Sequence, residues 1–151
     1  PSLPVKRVNF LEQYELALRE CSLNQEMISV IKELSQSYSL IIISSTVSSA
    51  IVTYLEAQGL KDSFKEVLGN DVEKSKIKKI QDVLQRYEID PSETVFITDT
   101  LGDIKEASVC GVRSIAVTWG YHPLETLKKG EPFRVIDHPI ELLDMIHAIS
   151  V

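Results

Sequence analysis

Three short apolar runs, separated by segments with helical periodicity, dominate the pattern of hydrophobic and polar positions. The runs cover residues 40–44, 94–98 and 114–117, and their continuous, β-branched character is typical of strands buried on both faces of a parallel sheet. Between them, residues 47–58 and 75–87 carry apolar side chains at helical spacing. The alternation predicts an α/β fold with a parallel sheet and right-handed crossovers.

Weaker patterns flank this core. Residues 10–20 predict a helix, and a second helix is predicted to begin at Asn24. Residues 64–68 and 133–136 predict two further short strands, and residues 139–149 predict a last helix. We therefore expect one sheet with helices before, between and after its strands.

Composition describes one globular domain and argues against two classes of partner. The chain has 151 residues, of which 44% are hydrophobic and 25% charged. Its net charge of -6 does not favour nucleic acid, which needs a basic face. The longest apolar run, residues 40–43, is far shorter than the roughly 20 residues that span a bilayer. No signal segment opens the chain, so we expect no membrane partner and a cytoplasmic location.

Polar side chains stand where the predicted strands end. Ser44, Asp99 and Thr118 each close an apolar run, and open α/β sheets bind ligands at that edge. Asp99 and Asp103 lie four residues apart, and paired carboxylates suit Mg²⁺. In the alternative interpretation, Asp99 only opens a turn and Asp103 only favours the helix dipole. His122 also follows a strand end, and we interpret it as a loop residue rather than a substrate contact.

A hydroxyl cluster and a lysine run add candidate phosphate ligands. Ser44 and Ser45 precede a predicted helix, where a hydroxyl and backbone amides can bind a phosphate oxygen or merely cap the helix. The lysine run includes Lys74 and Lys76. A lysine that points back to the strand ends would pair with phosphate and a carboxylate, whereas the others form a solvated face.

Taken in order, these segments resemble motifs of the haloacid dehalogenase superfamily of phosphohydrolases. Residues 40–45 resemble its second motif, and the resemblance implies that Ser44, with Ser45 beside it, binds the transferring phosphoryl group. The stretch from Gly69-Asn70-Asp71 to residues 74–76 resembles the third motif. The lysine of that motif steadies charge at the nucleophile and neutralises phosphoryl oxygens, and the resemblance assigns this catalytic role to Lys74, with Lys76 as the alternative.

The fourth motif of the same superfamily is the most specific match. Residues 95–103, Val-Phe-Ile-Thr-Asp-Thr-Leu-Gly-Asp, are similar to it, and its two acids hold Mg²⁺, which implies this role for Asp99 and Asp103. Residues 106–107, 111–112 and 117–120 also fit the phosphoglycolate-phosphatase-like branch. The resemblance implies a three-layer, Rossmann-like core.

The first motif of the superfamily, a strand ending in Asp-x-Asp-x-Thr or Val, is nowhere in this sequence. In the family its first Asp attacks phosphorus and its second is general acid and base. Asp137 follows a strand-like run, but we interpret it as a loop residue. We expect the sheet to lack its usual central first strand. The strands ending at Ser44 and Asp99 would then pair directly, or a second copy or a missing N-terminal segment would fill the gap.

The resemblance suggests a division of the chain into two parts and leaves two main hypotheses of its function. Residues 1–22 are interpreted as a remnant of a cap or linker helix and residues 23–151 as the core domain. The leading hypothesis is a Mg²⁺-dependent phosphomonoester hydrolase of small phosphorylated metabolites, of which this chain is a nearly inactive fragment. The alternative is a nucleophile-free binding or regulatory module. A response-regulator-like domain is less favoured, because such a domain needs an acidic pair near its first strand and we find none in the sequence.

Overall fold

A parallel sheet of six strands organises the described part of the chain, which is residues 8–11 and 24–150 of the computed structural model. Every neighbouring pair of strands is parallel, and the spatial order is β3-β2-β1-β4-β5-β6. The strands are β1 Val8–Leu11, β2 Ser39–Ile43, β3 Glu66–Leu68, β4 Thr94–Thr98, β5 Arg113–Val117 and β6 Arg134–Ile136.

Helices cover both faces of this sheet. They are α1 Asn24–Ser35, α2 Ser48–Ala57, α3 Lys76–Arg86, α4 Leu101–Val109, α5 Leu124–Lys128 and α6 Glu141–Ser150, with 3₁₀ turns at Lys61–Ser63 and Pro91–Glu93. On one face, Ile42 and Ile97 pack in a cluster with residues of α1, α2 and α6. On the other, Ile41 and Phe96 pack against α3 and α4. The three-layer α/β prediction is confirmed. Within the described ranges, no helix is long and apolar enough to cross a bilayer.

The central position of the sheet is filled, which corrects the predicted gap. Leu11 of β1 pairs in register with Ile42 of β2 on one side and with Ile97 of β4 on the other. A buried strand edge would leave backbone N–H and C=O groups without partners, and β1 satisfies both facing edges. The expectation that β2 and β4 pair directly, or that a second copy or a missing N-terminal segment supplies the strand, is therefore wrong.

The same strand corrects the helix predicted from Phe10. Phe10 and Leu11 belong to β1, because hydrogen bonding to strands on both sides outweighs a local helical pattern. The rest of that predicted helix, residues 12–20, lies outside the described residues. Assignment of the other residues of 1–22 to a cap or linker stays a prediction.

The sheet order brings two of the predicted site loops to either side of β1. Ile42 of β2 and Ile97 of β4 both pair with Leu11 of β1, so they occupy the same register position. Ser44 and Asp99 each follow two residues later in the sequence. Neighbouring strands lie about 4.8 Å apart, so the two loops face each other at about twice that distance. Strand order reverses at β1, and ligands bind doubly wound sheets at such a point.

Candidate functional site

The segment from β4 into the first turn of α4, residues 99–103, holds the two predicted metal acids, and we refer to it as the acid loop. Thr100 begins α4 by accepting a hydrogen bond from the Asp103 N–H at 3.3 Å, which places Asp103 in the first turn of the helix. The Thr98 hydroxyl donates to Asp103 Oδ2 at 2.7 Å. Asp99 and Asp103 are 5% and 3% exposed. Both carboxyl groups are therefore buried at the carboxyl edge of the sheet.

The two carboxylate oxygens of Asp99 have different surroundings. Oδ2 accepts a hydrogen bond from the Tyr121 N–H at 2.8 Å, whereas Oδ1 is buried and has no hydrogen-bond partner among the described residues. Burial raises the pKa of Asp99 to about 6, and the charge of Asp103 adds to the rise, while the Tyr121 hydrogen bond opposes it. A buried, unpaired carboxylate oxygen is a suitable ligand for a cation.

Asp103 is paired with Lys76. The Lys76 Nζ donates to Asp103 Oδ1 at 2.9 Å, and both side chains are buried. Lys74, which the family resemblance favoured, is exposed on the loop before α3. The structure thus brings Lys76 to the acids, the alternative that the sequence left open. Lys76 is the first residue of α3, whereas Lys74 precedes Ser75, whose side chain caps that helix.

Ser44 lies at the carboxyl end of β2 and is buried. Its Oγ accepts a hydrogen bond from the Thr46 N–H at 3.0 Å, and its own N–H donates to the Leu68 carbonyl at 3.0 Å. The alternative interpretation, in which a hydroxyl of this cluster caps the following helix, is wrong. The N-cap position of α2 is Val47, and no side chain accepts a hydrogen bond there. Ser45 is exposed on the same loop.

Two further charged groups at this edge were not assigned a site role from the sequence. Lys79 is 1% exposed, and its Nζ donates to the carbonyl of Ser44 at 2.7 Å and that of Gly69 at 3.3 Å. Glu106 lies one turn after Asp103, and its pKa is raised by burial and by the charge of Asp103. Helical spacing is the signal that could have found both, since residues three apart share a helix face.

Other predicted strand-end residues have different neighbours. The Thr118 hydroxyl donates to Asp137 Oδ1 at 2.7 Å, and Asp137 lies in a bend after β6, as expected for a loop residue. His122 lies in the loop between β5 and α5 and joins the acid loop through two hydrogen bonds. Its N–H donates to the Asp99 carbonyl at 3.1 Å, and its Nδ1 accepts the Leu101 N–H at 3.0 Å.

The donor set fits one partly hydrated Mg²⁺. The unpaired Oδ1 of Asp99 is available to a hard cation, whereas both oxygens of Asp103 already accept hydrogen bonds from Lys76 and Thr98. Within the described ranges no cluster of three or more His, Cys, Asp or Glu side chains is arranged for a metal. Mg²⁺ usually keeps several waters and takes one or two protein carboxylates together with substrate phosphate, so a sparse protein ligand set is compatible with it.

Comparison with known proteins agrees with this geometry. Residues 3–117 match the family model of haloacid dehalogenase-like hydrolases. "Probable phosphatase IndB" of Dickeya dadantii (strain 3937) is 30% identical over 92% of this chain and 65% of its own length. A phosphoglycolate phosphatase of Vibrio vulnificus (strain CMCP6) is 29% identical over 77% of this chain and 53% of its own length.

A solved structure supports the fold independently. A haloacid dehalogenase-like family hydrolase from Streptococcus pneumoniae has a TM-score of 0.77 at 17% identity, covering 92% of this chain and 97% of that chain. At this identity the likeness shows the fold alone. The chain spans only about half to two-thirds of the two curated relatives described above, 53% and 65% of their lengths. From the family match, the fold and the strand-end residues, the chain belongs to the haloacid dehalogenase-like hydrolases, in their phosphatase-like branch.

Proposed function

We propose that the complete protein is a Mg²⁺-dependent hydrolase of small phosphomonoesters and that it works in the cytoplasm. The observation that carries the proposal is the buried cluster of Asp99, Asp103 and Lys76 at the carboxyl edge of the sheet, with Ser44 across β1. The relatives named phosphatases support a phosphorylated small molecule as the substrate class.

Each residue of this cluster has a separate task in the proposed reaction. Ser44, with Ser45 beside it, binds phosphoryl oxygens. The Ser44 Oγ accepts a hydrogen bond from the Thr46 N–H, and the hydroxyl proton is left to be donated to a phosphoryl oxygen. Lys76 holds Asp103 and lowers the cost of negative charge at the phosphoryl group. Asp99 offers Oδ1 to Mg²⁺, with Asp103 as the second metal acid, and the ion, when bound, would neutralise charge on the phosphate.

The nucleophile is the part that this chain does not supply. The residues that follow β1 in the sequence are Glu12, Gln13, Tyr14 and Glu15, where the family has Asp-x-Asp. Without the first aspartate no aspartyl-phosphate forms, and without the second no carboxyl group is placed as general acid and base. We therefore expect the 151-residue chain to bind Mg²⁺ and phosphate but to have almost no turnover.

The expected lack of turnover is tested with p-nitrophenyl phosphate and Mg²⁺. We expect hydrolysis by the 151-residue chain to stay at the level of the Asp99→Ala variant. Exposed Asp62→Ala serves as a matched control for the effect of losing one carboxylate. Mg²⁺-dependent turnover that disappears in Asp99→Ala but persists in Asp62→Ala would contradict the expectation. The longest reading frame that contains this chain is assayed in parallel, and its failure to hydrolyse any phosphomonoester would contradict the proposed activity.

A nucleophile-free binding module is the second candidate function. It is favoured by one observation: Val8–Leu11 already occupies the central strand position, and Glu12 follows it in the sequence. Under this alternative the site binds phosphate and Mg²⁺ without chemistry. Phosphate binding by the longest reading frame, with no turnover of any phosphomonoester, would favour the module over the hydrolase.

A further inference from the structure

Three consecutive residues in the loop between β5 and α5 close over the acid loop. Gly120 lies so close to Asp99 that a Cβ at this position would be 2.1 Å from Asp99 Oδ2. The next residue, Tyr121, donates its N–H to that same oxygen at 2.8 Å. His122 then donates its N–H to the Asp99 carbonyl at 3.1 Å. We refer to residues 120–122 as the clamp segment.

The imidazole of His122 makes the last contact of the clamp segment. Its Nδ1 accepts the N–H of Leu101, the first residue of α4, at 3.0 Å. N–H groups in the first turn of a helix have no acceptor within the helix, so a side chain from elsewhere can satisfy one. Because Nδ1 accepts, the imidazole proton of the neutral ring resides on Nε2. His122 therefore bonds both ends of the short segment from Asp99 to Leu101.

We infer that His122 is a positioning residue for the metal acid Asp99, an inference that rests on the proposed function of this site. Its two hydrogen bonds fix the backbone from Asp99 to Leu101. The neighbouring Tyr121 N–H occupies Oδ2, which leaves Oδ1 as the oxygen directed to a cation. His122 itself does not have to touch the metal or the substrate.

The inferred role predicts a measurable change in Mg²⁺ affinity when His122 is replaced. Groups that orient metal ligands without binding the metal typically change metal affinity by about 10–100-fold when they are removed. Loss of the Nδ1 acceptor also leaves the Leu101 N–H without this partner. We therefore expect weaker Mg²⁺ binding and a more open first turn of α4, both from the same substitution.

The test compares His122→Ala with His122→Asn. Asparagine Oδ1 stands the same number of bonds from Cβ as imidazole Nδ1, so it can accept the same N–H. We expect calorimetric titration with Mg²⁺ to show affinity at least about tenfold weaker for His122→Ala and close to the unmodified chain for His122→Asn. His138→Ala, at an exposed loop histidine, is the control and should bind like the unmodified chain.

A second readout does not depend on metal. Amide hydrogen exchange at Leu101, followed by nuclear magnetic resonance, should be faster in His122→Ala and nearly unchanged in His122→Asn. Equal Mg²⁺ affinity in His122→Ala and the unmodified chain overturns the inference, as does equal impairment of the alanine and asparagine variants. If the unmodified chain binds no Mg²⁺, the metal-binding part of the proposed function fails instead. Unchanged exchange at Leu101 in His122→Ala would then overturn the inference by itself.

Discussion

The Asp99 carboxylate links the chemistry of the site to its stability. Burial leaves Oδ1 without a hydrogen bond from the described residues and raises the pKa of the group to about 6. The folded state therefore binds the proton more tightly than the unfolded state does. As pH rises from the ordinary aspartate value through about 6, the free energy of unfolding should fall, because the folded state must then hold a buried charge.

A neutral side chain of the same shape should remove this penalty. Without Mg²⁺, we expect Asp99→Asn to raise the melting temperature by a few degrees at pH values well above 6, and to lose that advantage at pH values near the ordinary aspartate pKa. Thermal unfolding across this pH range is the measurement, with exposed Asp62→Asn as the control. A stabilisation that does not change with pH would contradict the account. So would a less stable Asp99→Asn at high pH.

At the scale of elements, the first turn of α3 decides which lysine reaches the acids. Lys76 is buried and paired with Asp103, whereas Lys74 lies outside the helix and is exposed. Breaking a buried ion pair by removing one partner typically costs about 3–5 kcal/mol. An exposed substitution usually changes stability by less than about 0.5 kcal/mol.

We therefore expect Lys76→Met to lower the free energy of unfolding by about 3 kcal/mol and Lys74→Met to leave it nearly unchanged. Urea unfolding of both variants gives the comparison. Adding Asp103→Asn to Lys76→Met should recover part of the loss, because the neutral amide no longer leaves a charge without its ion pair. Equal effects of Lys74→Met and Lys76→Met would show that the ion pair contributes nothing to stability.

Elements that are buried on both sides were predictable from the sequence, whereas those that depend on distant neighbours were not. β2, β4 and β5 each contain an uninterrupted apolar segment of three or four residues, so their pattern identifies them without a partner. β1 is only four residues long and includes Asn9, and its strand conformation depends on pairing with β2 and β4. α5 has only five residues, and no side chain caps its start, so it carries no local signal.

Side-chain partners in the site were harder to predict than the strands that carry them. Spacing places both Lys74 and Lys76 near the start of α3, and only the helix cap at Ser75 separates an exposed lysine from a buried one. His122 gave no sequence signal for its bond to Leu101, because that bond joins residues 21 positions apart. Motif spacing identifies strand ends, but the fold decides which side chains meet there.

The whole molecule assembles the site from separate parts of the chain. Ser44 follows β2, Lys76 begins α3, Asp99 follows β4 and His122 follows β5. These segments approach one another because the sheet is parallel and its order reverses at β1. A site built in this way should behave as one unit, in which Mg²⁺ and phosphate strengthen each other's binding by the same factor.

The most direct test of a shared Mg²⁺ and phosphate site is calorimetric titration of the 151-residue chain with inorganic phosphate, in the presence and absence of Mg²⁺. We expect Mg²⁺ to tighten phosphate binding, Ser44→Ala to weaken binding in both conditions, and Asp99→Ala to remove only the effect of Mg²⁺. Each result follows from the roles proposed for these residues, namely phosphoryl binding for Ser44 and metal binding for Asp99. A phosphate affinity that is unchanged by Mg²⁺ and by both substitutions would contradict a shared Mg²⁺ and phosphate site at these strand ends. The absence of any phosphate binding would contradict it as well.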